Sequence, residues 1–543
     1  MKAMNVKNNS LFFATFILLI AIAFIQCYKT TSDLYWAFDP DFDRDIAFVQ
    51  GTLDGNFGKD PNYIGEYLWY NPLLFSIETV IVKITHLPVN IIVARAGAYL
   101  NLLCPIFFFI MMSVLFEIKV ALAALLSYLF LASGNILSWG AATYSPWLYP
   151  GSSMQFLFYL NIIFCYKAFS TQKYFWFAVL GACIGISFLG HTAPALLTIL
   201  IMISIQLGNF KRALKEKDFK LLKKYFLQSI IVIVPFIIAS SPLLYFIVGK
   251  YHLHLVNRVA FEYTDELFVW YNFPKLLIEN ISIALLISII GFVWFYKNIH
   301  NDFIRKIIFN WFFLSIALYI YSTLIIIIHK LVGISLPGTV PAFHFFFYLK
   351  ALQSVFFGLG FVLIVDKVII ILSEIIYSSR KIKISALSNG LFIFLILLIT
   401  MIYWPVYTHR ADFKFLREHA ILRANDKEKA EIYHFIVNNI TSDKVILCEP
   451  EASIFPVMAT GRKMVSINST FSNPYLDFGK RETDRMNMLS FFKTGQPNDA
   501  KKLFEKYSVN FILLSNPNYQ QNSPINNKII FKNNAYTILT INT

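Results

Sequence analysis

Residues 72–85 read PLLFSIETVIVKIT. Whether this apolar stretch crosses a membrane decides the topology of everything after it. It is shorter than the roughly 20 residues that a helical span needs. Ser76, Thr79 and Lys83 recur at i, i+3 and i+7, on one helical face, with Glu78 beside them. A polar stripe in an otherwise apolar helix predicts a helix that lies along the membrane surface. Pro72 suits the first turn of that helix.

Outward from this segment, apolar runs fill most of the chain. They lie at 11–27, 91–116, 119–133, 153–168, 174–190, 192–207, 225–248, 276–296, 307–328, 345–366 and 385–403. Hydrophobic residues make up 57% of the 543 residues and charged residues 15%, with a mean hydropathy of +0.58. A soluble domain carries about 25% charge, so an ordinary soluble enzyme is excluded, and so is a disordered chain. Lys2 and Lys7 precede the run 11–27, and no small-x-small cleavage site closes it, so it reads as an uncleaved first helix.

Charge placement tests the reading of 72–85. If that segment stays out of the membrane and the N-terminus is cytoplasmic, the inner segments are 1–10, 117–119, 167–173, 208–224, 297–306 and 367–384. They hold 19 Lys and Arg, against 4 in the outer loops 134–152, 249–275 and 329–344. Basic residues gather on the cytoplasmic side, and a crossing at 72–85 would invert the pattern. Residues 28–90 and 404–543 are therefore expected to face away from the cytoplasm. The net charge of +15 belongs to this asymmetry and argues for no nucleic-acid partner. Cys27, Cys104, Cys165, Cys183 and Cys448 form no CxxC pair, so neither a zinc knuckle nor a disulfide framework is indicated.

Two polar pieces remain. The first outer loop crowds Asp39, Asp41, Asp43 and Asp45 close to the first span, flanked by Tyr35, Trp36, Phe38, Phe42 and Phe48. Carboxylates this close repel, which raises a pKa or recruits a cation. Residues 404–543 alternate helix and strand patterns, with strands expected at 444–448, 465–467, 509–514, 527–531 and 535–541 and a short helix at 452–460, and read as a small α/β domain with a mixed sheet. They carry no nucleotide motif. Other candidates sit on the outer side. His191 at a tight hairpin suits a phosphate or sugar contact, or simple interfacial packing. Arg258 suits a phosphate contact. Lys350 lies near the outer end of a span, where it would serve a lipid phosphate or snorkel. His252 and His254 lack a third zinc ligand by spacing.

The arrangement resembles the polytopic GT-C glycosyltransferase superfamily, in particular the bacterial branch related to protein O-mannosyltransferases and lipid A aminoarabinose transferases. The motif resemblance runs through Asp43-Arg44-Asp45-Ile46-Ala47, then Gly55-Asn56-Phe57-Gly58, then Tyr70-Asn71-Pro72-Leu73-Leu74. Arg44 stands where the family has an acid, Asn71 where it has a lysine, and 134–152 lacks the acid that relatives place there. The resemblance implies an all-α membrane domain of about eleven spans plus juxtamembrane helices over 1–403, followed by an extracytoplasmic α/β domain over 404–543.

It also implies a function. An undecaprenyl-type monophosphate sugar would be the donor, and a lipid, glycan or protein the acceptor, on the outer face of a bacterial plasma membrane. Asp43, with Asp41 and Asp45 as alternatives, would be the base, and the stereochemistry would invert. His191, Arg258, Lys350, Tyr70 and Asn71 would hold the donor's phosphate and sugar. A divalent cation on Asp41 or Asp43 would be allowed without being required. The competing classes are a polysaccharide ligase or polymerase using a lipid pyrophosphate, and a transporter or flippase. Ionisable residues avoid the middle of the spans here, which favours an outward-facing enzyme.

Overall fold

The structure is a computed structural model that describes residues 6–131, 144–259, 281–338, 340–376, 384–516 and 525–541. Each of the eleven apolar runs carries helix. Among the described residues, seven helices are long and apolar enough to cross a membrane: Ser10–Thr31, Val89–Leu115, Thr192–Lys215, Phe219–Gly249, Asp302–Val332, Phe343–Ile371 and Ser388–Ala424. Ile118–Leu131, Tyr174–Gly190 and Ile283–Asn298 are shorter apolar helices, and Gln155–Thr171 completes the set. The chain is an integral membrane protein. All five cysteines are buried thiols.

The described residues fall into two compact units, neither contiguous in sequence. One, the membrane unit, takes 1–32, 97–240 and 264–415; the other takes 33–96, 241–263 and 416–543. The division expected at residues 403/404 follows chain order, whereas these units follow packing.

Within the membrane unit, backbones approach through glycine. A Cβ on Gly291 would strike the Phe356 carbonyl and come within 2.7 Å of the Gly360 nitrogen. A Cβ on Gly360 would in turn strike the Ile287 carbonyl. Small residues at helix contacts allow this approach in lipid. Gly291→Ala is expected to cost about 1–3 kcal/mol through overpacking, read as a lower melting temperature in detergent. Unchanged melting would contradict the close contact.

The second unit is built on a mixed five-stranded sheet. Its strands are β1 (Val445–Cys448), β2 (Lys463–Met464), β3 (Val509–Ser515), β4 (Asn527–Lys532) and β5 (Tyr536–Ile541), in the order β2-β1-β3-β5-β4. β1 runs parallel to β2 and β3, and β5 is antiparallel to β3 and β4. The helix expected over 452–460 is instead two short 3₁₀ turns, Pro450–Ala452 and Met458–Thr460; Pro456 between them has no N–H for a continuous helix. The strand expected at 465–467 forms two residues earlier, at β2.

The polar loop after the first helix is part of this unit's core. Ala47 and Tyr63 cluster with Ile432, Ile436, Ile446 and Ile538. After α1 (Val6–Thr31), the loop forms α2 (Pro40–Leu53) and later α3 (Leu73–Thr85). Pro72 is the residue before α3 rather than its first-turn residue. The start of α3's polar stripe turns inward: Glu78 and Thr79 are buried and Ser76 is half-buried, while Lys83, Val80 and Ile84 are exposed. Ser76 and Thr79 can face protein because their hydroxyls donate back to the Pro72 and Phe75 carbonyls at 2.6 and 2.7 Å.

Candidate active site

The crowded acids of 39–45 are first of all a helix start. Asp39 caps α2, its side chain accepting from the Asp41 N–H at 2.9 Å, and Pro40 follows it. Asp41 and Asp43 then sit in the first turn, where the helix dipole favours negative charge. The helix also separates the three carboxylates expected to do chemistry.

Asp43 points into the second unit's interior. Arg423 takes both of its oxygens, Nη1 reaching Oδ2 at 3.1 Å and Nη2 reaching Oδ1. The guanidinium lies over the Phe455 ring at 3.9 Å and the Trp36 ring at 5.2 Å. Burial pushes the Asp43 carboxyl up, and Arg423 opposes that push.

Asp41 and Asp45 share the other cation. Arg44 reaches Asp41 Oδ1 through Nη1 at 2.6 Å and Asp45 Oδ1 through Nε at 3.0 Å. Tyr70 covers it, its ring centroid 4.0 Å from the guanidinium carbon. The Asp41 side chain is 36% exposed, against 4% for Asp45. Asp45 Oδ2 is buried with no hydrogen-bond partner. Glu78 of α3 is completely buried, and neither of its carboxyl oxygens has a partner. Burial, with Asp45 nearby, raises its pKa well above the usual carboxylate range.

Burial likewise raises Asp45 from 3.8 to about 7, against the pull of Arg44. A carboxyl whose folded pKa exceeds its unfolded value contributes stability at low pH. That stability is complete below the unfolded pKa and is lost as pH rises through the folded one. Asp45→Asn is therefore expected to flatten the fall in melting temperature between pH 3.8 and about 7. An unchanged slope would contradict the buried position of this carboxyl.

A divalent cation does not fit here. Asp43 is committed to Arg423, and a guanidinium already stands between Asp41 and Asp45. Among the described residues no three His, Cys, Asp or Glu side chains converge as metal ligands.

The remaining candidates fall in both units. Asn71 is half-buried just before α3. Arg258 is half-buried in the second unit, next to Asn257, which is fixed to the Ser469 carbonyl at 2.8 Å and the Pro474 carbonyl at 2.9 Å. His191 and Lys350 belong to the membrane unit. His191 caps the helix Thr192–Lys215, its Nδ1 accepting from the Ala193 N–H at 3.2 Å. Its ring stacks on His344 at 4.7 Å. Lys350 is buried, its Nζ 5.6 Å from the Phe346 ring centre. Tyr144 is held by the fold: Arg410 pairs with Asp412 at 2.7 Å and donates to the Tyr144 carbonyl at 3.0 Å. Tyr144 itself donates to the Ala98 carbonyl.

Sequence reasoning named Arg44 only as a departure and did not propose Arg423, Glu78 or His344. Glu78 carried a signal, a lone acid in an apolar helix. Arg423 carried none, because its partner lies 380 residues away.

The fold that positions these groups is shared with solved structures of ArnT and of an archaeal oligosaccharyltransferase. No protein-family model matches the sequence, and no curated protein matches it. Among solved structures, the chain resembles ArnT from Cupriavidus metallidurans bound to undecaprenyl phosphate. That likeness covers 96% of this chain and 97% of ArnT, with a TM-score of 0.54 at 12% identity. It also resembles the Archaeoglobus fulgidus oligosaccharyltransferase in its apo form, covering 94% of this chain and 70% of that one, with a TM-score of 0.54 at 11% identity. The archaeal AglB in complex with an inhibitory peptide and a dolichol-phosphate gives a TM-score of 0.50 at 10% identity, over 94% of this chain and 70% of that one.

Proposed function

We propose that the chain is a glycosyltransferase that takes a sugar from a polyprenyl-phosphate donor at the outer face of a bacterial plasma membrane. The acceptor is a hydroxyl of a lipid, glycan or protein. The observation that carries this reading is Asp41, an accessible carboxylate at a rigid helix start, in a chain of GT-C fold. Support for the lipid-linked donor comes from ArnT, whose solved structure holds undecaprenyl phosphate and whose length the likeness covers almost completely. Support for the outward placement comes from the basic excess in the segments assigned to the cytoplasm.

In this mechanism Asp41 takes the proton of the acceptor hydroxyl as its oxygen bonds to the anomeric carbon. The bond from that carbon to the donor phosphate breaks, and the phosphate leaves with the electron pair. A single displacement inverts the anomeric centre. Arg44 braces Asp41 from one oxygen, and Tyr70 packs over Arg44. His191, Arg258 and Lys350 are the basic residues proposed for the leaving phosphate. Asn71 is proposed to contact the donor.

The experiment is transfer of label in membranes from cells that express the chain. Supplied with a labelled undecaprenyl-phosphate sugar, these membranes are expected to move label to an acceptor, and membranes lacking the chain are not. Equal label in both would end the proposal.

A further inference from the structure

In the membrane unit, the helices Tyr174–Gly190, Thr192–Lys215 and Phe219–Gly249 enclose a groove of about 350 Å³. Ile184, Met202, Leu207, Ile233 and Phe236 wall it, and Gln206 and Ser229 are its polar residues. Two of these helices are held close behind it. A Cβ on Gly181 would strike the Val232 carbonyl, and one on Gly185 would lie 2.7 Å from the Phe236 carbonyl. The walls cannot draw together, so the groove is a lasting feature of the packing. Leu207 and Ile233 are also open to the outside, so a hydrocarbon chain can enter sideways from a bilayer.

One end of the groove is strongly basic. Phe210 lines it; Lys211, Arg212 and Lys215 end the helix Thr192–Lys215, Lys217 lies in the turn, and Lys220, Lys223 and Lys224 begin the helix Phe219–Gly249. Glu216 and Asp218 of the same segment, and Asp302 of a neighbouring helix near Arg212, oppose these seven cations. A polar relay fixes one of them at the groove. Asn209 donates to Gln206 at 3.1 Å, Gln206 donates to the Tyr225 carbonyl at 3.1 Å, and Arg212 donates to the Tyr225 hydroxyl at 2.8 Å. Lys211, Lys215 and Lys223 are exposed beside it.

We propose that this groove seats one acyl chain of an anionic phospholipid, whose phosphate is held by Arg212 and the neighbouring lysines. The charge selects the occupant: a zwitterionic lipid would bring its own cation into a field of seven. The glycosyl donor is a different lipid in a different place. From His191 to Ile199, the first groove residue on this helix, the helix advances eight residues, about 12 Å along its axis, and the groove continues to Phe210. The groove therefore lies toward the opposite end of the helix from the histidine.

The test is native mass spectrometry on the full chain, offered dioleoylphosphatidylglycerol and dioleoylphosphatidylcholine. The chain is expected to retain one phosphatidylglycerol in clear preference to phosphatidylcholine. The triple variant Arg212→Gln, Lys215→Gln, Lys223→Gln is expected to reduce that preference at least about fivefold, since each cation near a surface contributes on the order of 1 kcal/mol. Ile233→Trp, which fills the groove and leaves every cation in place, is expected to lose the lipid as well. Ser229→Phe reads the same point if the tryptophan variant melts below the parent. Retention of phosphatidylglycerol by the folded groove-filled variant would overturn the proposal, because surface attraction would then suffice. Equal retention of phosphatidylcholine by the parent chain would overturn it, and so would stoichiometric displacement of phosphatidylglycerol by undecaprenyl phosphate.

Discussion

Asp41→Asn is expected to lower glycosyl transfer about 10²–10⁴-fold, the range for losing a general base, with protein level and donor binding unchanged. Three carboxylates lie within five residues, yet α2 gives them different surroundings. Asp43 has both oxygens on Arg423. Asp45 is buried on the far side of Arg44. Arg44 holds Oδ1 of Asp41, and the Asp41 side chain is 36% exposed, open to an incoming acceptor. Asparagine keeps the shape and the contact to Arg44 through its carbonyl oxygen, so the loss would report proton transfer and not collapse of the helix start. The comparison is Asp43→Asn, measured per amount of folded protein, which is expected to retain transfer. If Asp43→Asn abolished transfer in a folded protein while Asp41→Asn retained it, the base would be Asp43.

Arg423→Met should give the largest loss of stability. The Asp43 side chain is only 2% exposed, and removing its partner leaves a charge in a dry place. Breaking such a pair costs about 3–5 kcal/mol. The methionine would also lose the stacking of the guanidinium on Phe455. Arg423→Lys is expected to recover only part, because a lysine cannot make the two-pronged contact. Asp43→Leu combined with Arg423→Met removes both charges and is expected to recover most of the loss. The measurement is thermal melting in detergent, and a single variant that melts like the parent would contradict the buried pair.

The membrane architecture was legible because its signal is local. Each span is a run of apolar side chains, readable without any distant contact. The strands β1 and β3 to β5 were legible for the same reason. What was not legible depends on contacts far apart in sequence. Nothing around Asp43 announces Arg423, and nothing around Ala47 announces Ile446 as a core neighbour. The outer loop therefore reads as a separate acidic element, when packing makes it part of the α/β unit. α3 shows an intermediate case. Its polar stripe was visible, but the direction it faces was set by α2, where Arg44 and Asp45 offer charge and water does not reach Glu78.

The most direct test of the central claim uses the purified full chain, an acceptor fraction from its membranes, and two donors carrying the same labelled sugar. One donor is undecaprenyl phosphate-linked and the other undecaprenyl pyrophosphate-linked. Label transferred from the first, with one undecaprenyl phosphate released per sugar moved, is the expected result. Transfer from the pyrophosphate donor alone would contradict the account and point to a ligase or polymerase.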